Sequence, residues 1–350
     1  MNPTRVWWVS WRVGEITVSS KTDDGRHDTR IAVDTPADWR YFLRIFTMSD
    51  GSVLLRGANA DGTELHRITS PGVLVPVPDL PAQLAALPPY QVLPQADGTV
   101  LGLVDQGVVL WTSGGTLQTV SAPAGMVVRD ATCDMGGRLW ICGSVPAARR
   151  GYLATRGAWA VTDDGGQTWQ VWSRLAGSLR NAWRAVLSGA AEEFRWIRVL
   201  DGYLVLIGLG GSPEDSSTLV MVRDRRQRWH SVTWPHDVFR AVAIRDGHLS
   251  VFSHRGRRVT TTNSGRLSHY DVVPIIQETC GMDSVSRLRM EVIDVEPNGP
   301  LSVVVAGFYA PDAVGYSRDG ESVLALGAET ASLVASQGCD EPEVVTAVSQ

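Results

Sequence analysis

Short runs of Val, Leu, Ile and Trp alternate with turn signals along the whole 350-residue chain. Asp-Gly or a close relative keeps returning between two such runs. The copies are MSDGSVLLRG around Asp50, QADGTVLGLV around Asp97, CDMGGRLWICG around Asp134, VLDGYLVLIG around Asp201, IRDGHLSVFS around Asp246 and EPNGPLSVVVAG around Asn298. Apolar runs bounded by Gly, Asp and Asn read as strands. Asp-Gly and Asn-Gly suit tight hairpin turns because both central positions can take positive φ. Each copy therefore predicts a hairpin of two short strands, and the chain as a whole reads as all-β.

The copies recur mostly every ~40 to 50 residues, with one longer gap, and that is the period of a four-stranded propeller blade. Late in one repeat, after its hairpin, stands VTDDGGQTW, Val161 to Trp169. Thr162, Asp164, Gly166, Thr168 and Trp169 occupy every defined position of the pattern S/T-x-D-x-G-x-T-W. This stretch resembles the Asp-box, or BNR, motif of sialidase-like β-propellers. The box is a staple for the turn between the third and fourth strands of a blade. Asp164 accepts backbone N–H bonds inside its own turn, Gly166 permits the backbone conformation, and Trp169 starts the next strand with its ring between blades. The resemblance implies a structural role for these five residues, away from any active site.

Partial copies stand where such a fold expects them. Thr261-Thr-Asn263-Ser-Gly265 and Ser317-Arg-Asp319-Gly320 keep the turn half, and Asp224 with Trp229 in RDRRQRW keeps the Asp and the Trp. Thr22-Asp-Asp24-Gly25 comes so early that only VWWVSWR and EITVSS precede it, so the first strand of that blade is missing. PEVVTAVS, Pro342 to Ser349, can supply it. Both chain ends would then share one blade and leave no open sheet edge at the seam. Counting that blade with the six hairpins gives seven blades in a single domain over 1–350; six is the alternative. Two segments break the pattern. Ser178 to Gly189 has a Ser N-cap, a Gly stop and Leu179, Ala182, Trp183, Val186 and Leu187 on one helical face, so it predicts an inserted helix with a possible docking role for Trp183. Pro81 to Leu87, after Asp79, predicts a further helical turn or two.

The formal net charge of −5 argues against non-specific binding of nucleic acid or anionic membrane. The first residues hold arginines inside their only apolar run and show no small-residue cleavage site. No stretch reaches the roughly 18 apolar residues that span a bilayer. The default expectation is a soluble, cytoplasmic, monomeric protein. Lys21 is the only lysine, which reads as a bacterial high-GC bias. Cys133, Cys142, Cys280 and Cys339 lack CxxC pairs and read as free thiols; a Cys280–Cys339 disulfide is the alternative, because ETCGMDS and SQGCDEP are matching connectors.

The sialidase resemblance invites a search for catalysis. Those enzymes carry F/Y-R-I-P, and the nearest match here is Leu43-Arg44-Ile45-Phe46, without the proline. No acid/base Asp with a Tyr–Glu pair can be assembled beside it. Arg44, Arg195 and Arg240 each lie six residues before the Asp of their hairpin, and Arg129 lies one position out of that interval. Equivalent positions on equivalent strands point in equivalent directions. Three guanidiniums could thus converge on one carboxylate or phosphate, or each could pair with an acid on the next blade. His27, His66, His230, His236, His248, His254 and His269 are scattered without metal spacing, and GLGGSPEDSS from Gly208 reads as a loop, with no phosphate-binding context. Trp140, Trp169, Trp196 and Trp229 read as inter-blade core, while Trp7, Trp8 and Trp11 cluster near the start. No metal or cofactor is expected. The preferred function is a non-catalytic protein-interaction propeller, an assembly or accessory factor or an antitoxin-like partner. The alternative is a sialidase-like glycoside hydrolase or a glycan-binding propeller that uses the arginines on an anionic sugar.

Overall fold

The structure is a computed structural model. It describes residues 6–32 except 13–14 and 23–24; 44–149 except 49–51, 60–61, 71–72, 78–79 and 96; 152–173; 191–235 except 201 and 211–216; and, beyond 238, little but the strands named below. Side chains are described within 46–146, 155–173, 193–208 and 218–231.

Seven four-stranded sheets account for nearly all of the described residues. In the first, β1 (Val6–Arg12), β2 (Glu15–Thr22) and β3 (Gly25–Ala32) follow β28 (Glu343–Ser349). The second holds β4 (Arg44–Thr47), β5 (Val53–Asn59), β6 (Gly62–Ser70) and β7 (Val73–Pro76). The third holds β8 (Val92–Pro94), β9 (Val100–Val104), β10 (Gly107–Trp111) and β11 (Leu117–Ser121). The fourth holds β12 (Val127–Cys133), β13 (Leu139–Arg149), β14 (Tyr152–Thr162) and β15 (Gln170–Trp172). The fifth holds β16 (Ala191–Leu200), β17 (Tyr203–Gly210), β18 (Ser217–Arg223) and β19 (Trp229–Pro235). The sixth holds β20 (Phe239–Arg245), β21 (His248–Ser253), β22 (Arg257–Thr261) and β23 (Leu267–Asp271). The seventh holds β24 (Arg287–Val295), β25 (Ser302–Asp312), β26 (Gly315–Leu326) and β27 (Ala331–Gly338).

The expected hairpins are the first two strands of the second to seventh sheets. β28 runs antiparallel to β1, from Val6 opposite Ser349 to Trp11 opposite Glu343. The described helix is one turn, α1 (Ala82–Ala85), followed by a 3₁₀ turn at Pro89–Gln91, within and just beyond the stretch expected to be helical. The segment 178–189, with Trp183, lies outside the described residues, as do Cys280 and Cys339.

The chain divides into two compact units. One comprises 1–80, 240–261 and 268–350; the other comprises 81–239 with 262–267 and holds the third, fourth and fifth sheets. In the second unit the period-2 alternation of a strand sends the fourth sheet's side chains into two separate cores. From β13, Leu139 and Ile141 join Leu101, Val108, Val120 and Ala131, while Trp140 and Cys142 join Phe194, Ile197, Leu206 and Met221. β14 follows suit, with Ala158 and Ala160 on the first side and Trp159 and Val161 on the second. The fourth sheet is thus apolar on both faces, which is why its strands read as unbroken apolar runs.

Two of the expected hairpin loops, Gln95–Thr99 and Asp134–Arg138, differ from a two-residue turn, whereas Leu200 pairs with Tyr203 and leaves two residues in the loop between them. Among the described residues, Gln95–Thr99, Thr112–Thr116, Asp134–Arg138 and Asp224–Arg228 share one design. The first residue's N–H donates to the fifth residue's carbonyl, and the fourth residue's N–H donates to the first residue's carbonyl. Only the fourth residue is left-handed: Gly98 (φ 87°), Gly115 (82°), Gly137 (78°) and Gln227 (62°). This is a type I turn closed by a left-handed residue, the three-residue hairpin loop. Glycine carries no Cβ penalty in that conformation, so Gln227→Gly should raise stability by up to about 1 kcal/mol in a chemical denaturation curve. A lower midpoint would mean that the Gln227 side chain contributes a contact of its own.

Candidate functional site

The stretch Thr162 to Trp169 forms the turn from β14 to β15, the third and fourth strands of its sheet. Thr162 Oγ1 donates to Asp164 Oδ1 at 2.7 Å and accepts from the Gly166 N–H at 2.9 Å. Asp164 also accepts from the Thr168 N–H at 2.9 Å and from the Thr168 hydroxyl. Trp169 Nε1 donates to the Ser121 carbonyl at 3.0 Å, and its ring packs on the core shared with the third sheet. The box therefore staples its own turn and ties the fourth sheet to the third.

Bonds from the Thr168 hydroxyl and N–H, then from Thr162, hold the Asp164 carboxyl well below its usual range. A depressed folded-state pKa contributes stability above the unfolded value, about 3.9, and that contribution is lost as pH falls through the folded one. Asp164→Asn should accordingly melt lower than the parent at neutral pH, with the gap narrowing in acid. A gap independent of pH would assign the effect to shape alone.

Of the partial copies, Asp224 forms a true counterpart between β18 and β19. It accepts from the Arg228 N–H at 2.8 Å, from Arg228 Nε at 3.1 Å and shares a 3.1 Å contact with His230. Asp134, in the β12–β13 loop, repeats the arrangement with the Arg138 N–H, Arg138 Nε and Trp140 Nε1. Thr22–Gly25 and Thr261–Gly265 fall between third and fourth strands, as expected. Ser317–Gly320 does not. It lies inside β26, where Arg318 and Gly320 pair with Tyr309 and Phe308 and Asp319 is bulged out. The β25–β26 ladder runs on to Asp312 opposite Gly315, so strand pairing absorbed those residues before a turn could form.

The arginines divide in an unexpected way. Arg129 occupies the bulge between Val128 and Asp130, which pair with Gly143 and Cys142. Arg195 occupies the bulge between Phe194 and Trp196, which pair with Gly208 and Ile207. The two hold the same structural place, although their distances to the loop Asp differ. β16 runs one residue further than β12 from its bulge to its loop. Glycine is required opposite the first bulge, because a Cβ at Gly143 would collide with the Val127 carbonyl. Arg44 pairs with Arg56, the residue before Gly57, and so matches Asp130 and Trp196 in place of Arg195. The interval to the loop Asp was therefore not the structural register, since loops and bulges add residues without advancing the ladder. Arg240 lies in β20; the side chains of Arg44 and Arg240 are outside the described residues.

Glu193 joins the two bulges and was not singled out from the sequence. It accepts from Arg195 Nε at 2.8 Å through one oxygen and from Arg129 Nε through the other. Arg129 and Arg195 remain 52% and 60% exposed while Glu193 is 14% exposed. Burial works against the Glu193 anion, but the bonds from Arg129 and Arg195 hold its carboxyl below the usual range. Two exposed guanidiniums thus share one carboxylate. The excess positive charge faces outward and can take a second carboxylate or a phosphate in fork geometry.

One strand position inward, Asp130 accepts from the Ile197 N–H at 2.9 Å and from Arg198 Nη1 at 2.7 Å. The Arg198 guanidinium also lies over the Trp196 ring at 4.5 Å, so Trp196 caps an ion pair instead of filling the core. Trp140 is core, and Trp229 packs against it. His66 lies 3.2 Å from Glu64. Among the described residues, no three of His, Cys, Asp and Glu gather as a metal site requires.

Cys133 and Cys142 are free thiols. Burial, aided by the charges of Asp97 and Asp134, pushes Cys133 up to about 12; burial raises Cys142 well above the ordinary thiol value, aided by Asp130. Since the thiolate is the reactive form, a thiol reagent at mildly alkaline pH should label both only after unfolding, read by mass mapping of the labelled peptides. Rapid native labelling of Cys133 would overturn this.

No known family profile and no curated protein matches the chain. Solved structures do. A protein from Lactobacillus plantarum aligns over 99% of this chain and 99% of its own, at 13% identity and a TM-score of 0.52. A catalytically inactive virginiamycin B lyase from Staphylococcus aureus, determined with quinupristin, aligns over 87% of this chain and 92% of its own, at 12% identity and a TM-score of 0.50. With four-stranded antiparallel sheets and almost no helix among the described residues, the fold class is that of the β-propellers. At such identities the likeness speaks to the fold and not to the chemistry. No helix among the described residues is long and apolar enough to cross a membrane.

Proposed function

We propose that this chain is a non-catalytic interaction module, a single seven-bladed propeller of the Asp-box type closed by β28 beside β1. Pairing of the two terminal strands in one sheet supports the closure. The Asp164 turn, with the Asp224 turn at the equivalent place in the next sheet, supports the Asp-box kinship. The functional reading rests on one observation: among the described residues, Arg129 and Arg195, exposed on matched bulges, share Glu193 as their carboxylate. By contrast, Asp130, Asp134, Asp164 and Asp224 are engaged in holding turns and sheets together. The preferred ligand is a carboxylate presented by another protein, as for an assembly factor or antitoxin-like partner. The module works as a monomer in the cytoplasm, without metal, cofactor, nucleic acid or membrane.

The test uses the full chain and its Arg129→Ala/Arg195→Ala variant. A partner retained by the parent should be held about tenfold or more weakly by the variant, with an unchanged melting curve. A fluorogenic sialoside should not be turned over. Turnover that disappears in Arg44→Ala would replace this reading with a sialidase-like hydrolase.

A further inference from the structure

A second concentration of positive charge lies at one loop end of the fourth and fifth sheets. β12 and β16 run side by side in the same direction, because Arg129 meets Glu193 and Asp130 meets Ile197 and Arg198. In antiparallel four-stranded sheets the first-to-second and third-to-fourth loops emerge at the same end. The 134–138 and 224–228 loops therefore project together. Arg138 closes the first loop, and Arg223, Arg225, Arg226 and Arg228 flank and build the second.

Arg138, Arg225, Arg226 and Arg228 are exposed. Arg138 and Arg228 lean on Asp134 and Asp224 yet stay 53% and 51% open to solvent. Those two aspartates are already engaged by loop N–H groups and by the rings of Trp140 and His230. Burial, and after it the charge of Arg138, holds the Arg223 guanidinium below its ordinary value, so like charges have been brought close. Aromatic faces back the cluster, with Arg138 at 5.6 Å from the Trp140 ring centre and Arg225 at 5.5 Å from that of Tyr203.

Four exposed guanidiniums at one loop end, in a chain of net charge −5, form a surface complementary to an acidic partner. We propose that this loop end is a docking surface for an acidic protein segment, whose carboxylates are taken by Arg138, Arg223, Arg225, Arg226 and Arg228. A short acidic segment meets only the basic loops, whereas a long nucleic acid would also meet the acidic remainder of the surface. The surface is separate from the Arg129–Glu193–Arg195 bulges and rests on the interaction reading only in taking the partner to be a protein.

The test titrates the full-length protein into fluorescein-labelled decaglutamate and follows anisotropy. Binding should weaken steeply with added salt. Arg225→Glu/Arg226→Glu should reduce it by about tenfold or more, whereas Arg129→Ala/Arg195→Ala, which removes the separate bulge site, should reduce it less. If the double charge reversal does not fold, Arg226→Ala alone should still weaken binding measurably. Decaglutamate that fails to bind at low salt, or that binds the loop variants as well as the parent, overturns the proposal. Tighter binding of single-stranded DNA of equal length overturns it in favour of nucleic acid. A loss confined to Arg129→Ala/Arg195→Ala would overturn it while leaving the bulge site intact.

Discussion

Replacing Arg198 with methionine should lower the folding free energy by about 3–5 kcal/mol, because it strands the Asp130 carboxylate inside the protein. Asp130 is 6% exposed and Arg198 29%, and the pair lies where β12 meets β16. Burial raises the Asp130 carboxyl above its usual range, against the opposing pull of Arg198 and of the Ile197 and Ala131 N–H groups. Ionising Asp130 therefore removes stability as pH climbs from the unfolded value, about 3.9, toward the folded one. The variant should widen that loss. Combining Arg198→Met with Asp130→Leu should recover part of the deficit. Recovery is incomplete because the Ile197 N–H loses its acceptor, which costs about 1–3 kcal/mol. Urea denaturation followed by tryptophan fluorescence measures both variants. A single variant as stable as the parent would mean that Asp130 is not dependent on Arg198.

Deleting residues 341–350 should be comparably severe. β28 meets β1 at six register pairs, and at roughly 0.5–1 kcal/mol for each, the loss is about 3–6 kcal/mol. The exposed edge of β1 would also become a template for pairing between molecules. The deletion should therefore melt lower and aggregate sooner, as read by thermal scans with light scattering. An unchanged melting curve would remove the support for a blade closed by both ends.

Much of this architecture was legible because it repeats. The six Asp-Gly-like hairpins recur at the period of a four-stranded sheet, and the Thr162–Trp169 box marks the turn from third to fourth strand, as do its partial copies at Thr22, Asp224 and Thr261 but not the one at Ser317. The early Thr22–Gly25 copy pointed to the C-terminal strand as the neighbour of β1. The candidate site was harder to read. Arg129 and Arg195 were both noted, but Arg129 was set one position apart, since a count along the chain cannot see a bulge or an extra ladder pair. Glu193 and Asp130 carried no motif, although Asp130 sits at an inward position of an apolar strand. That is a signal for a buried, paired acid.

By itself, the sequence determined an all-β chain of repeated four-stranded sheets and the place of the Thr162–Trp169 turn. These follow from local rules, namely apolar alternation, turn chemistry and a recurring period, each set within one repeat. Only the tertiary structure decided which arginines share a carboxylate and that the fourth sheet feeds two cores. It also decided that Asp319 belongs to a strand and not to a turn. Those outcomes depend on how neighbouring strands slip in register and how sheets face one another, and such contacts join residues some 65 positions apart, as between Arg129 and Glu193 or Asp130 and Arg198. No local pattern encodes that juxtaposition, because its energy comes from burial and charge pairing that exist only once the sheets have packed.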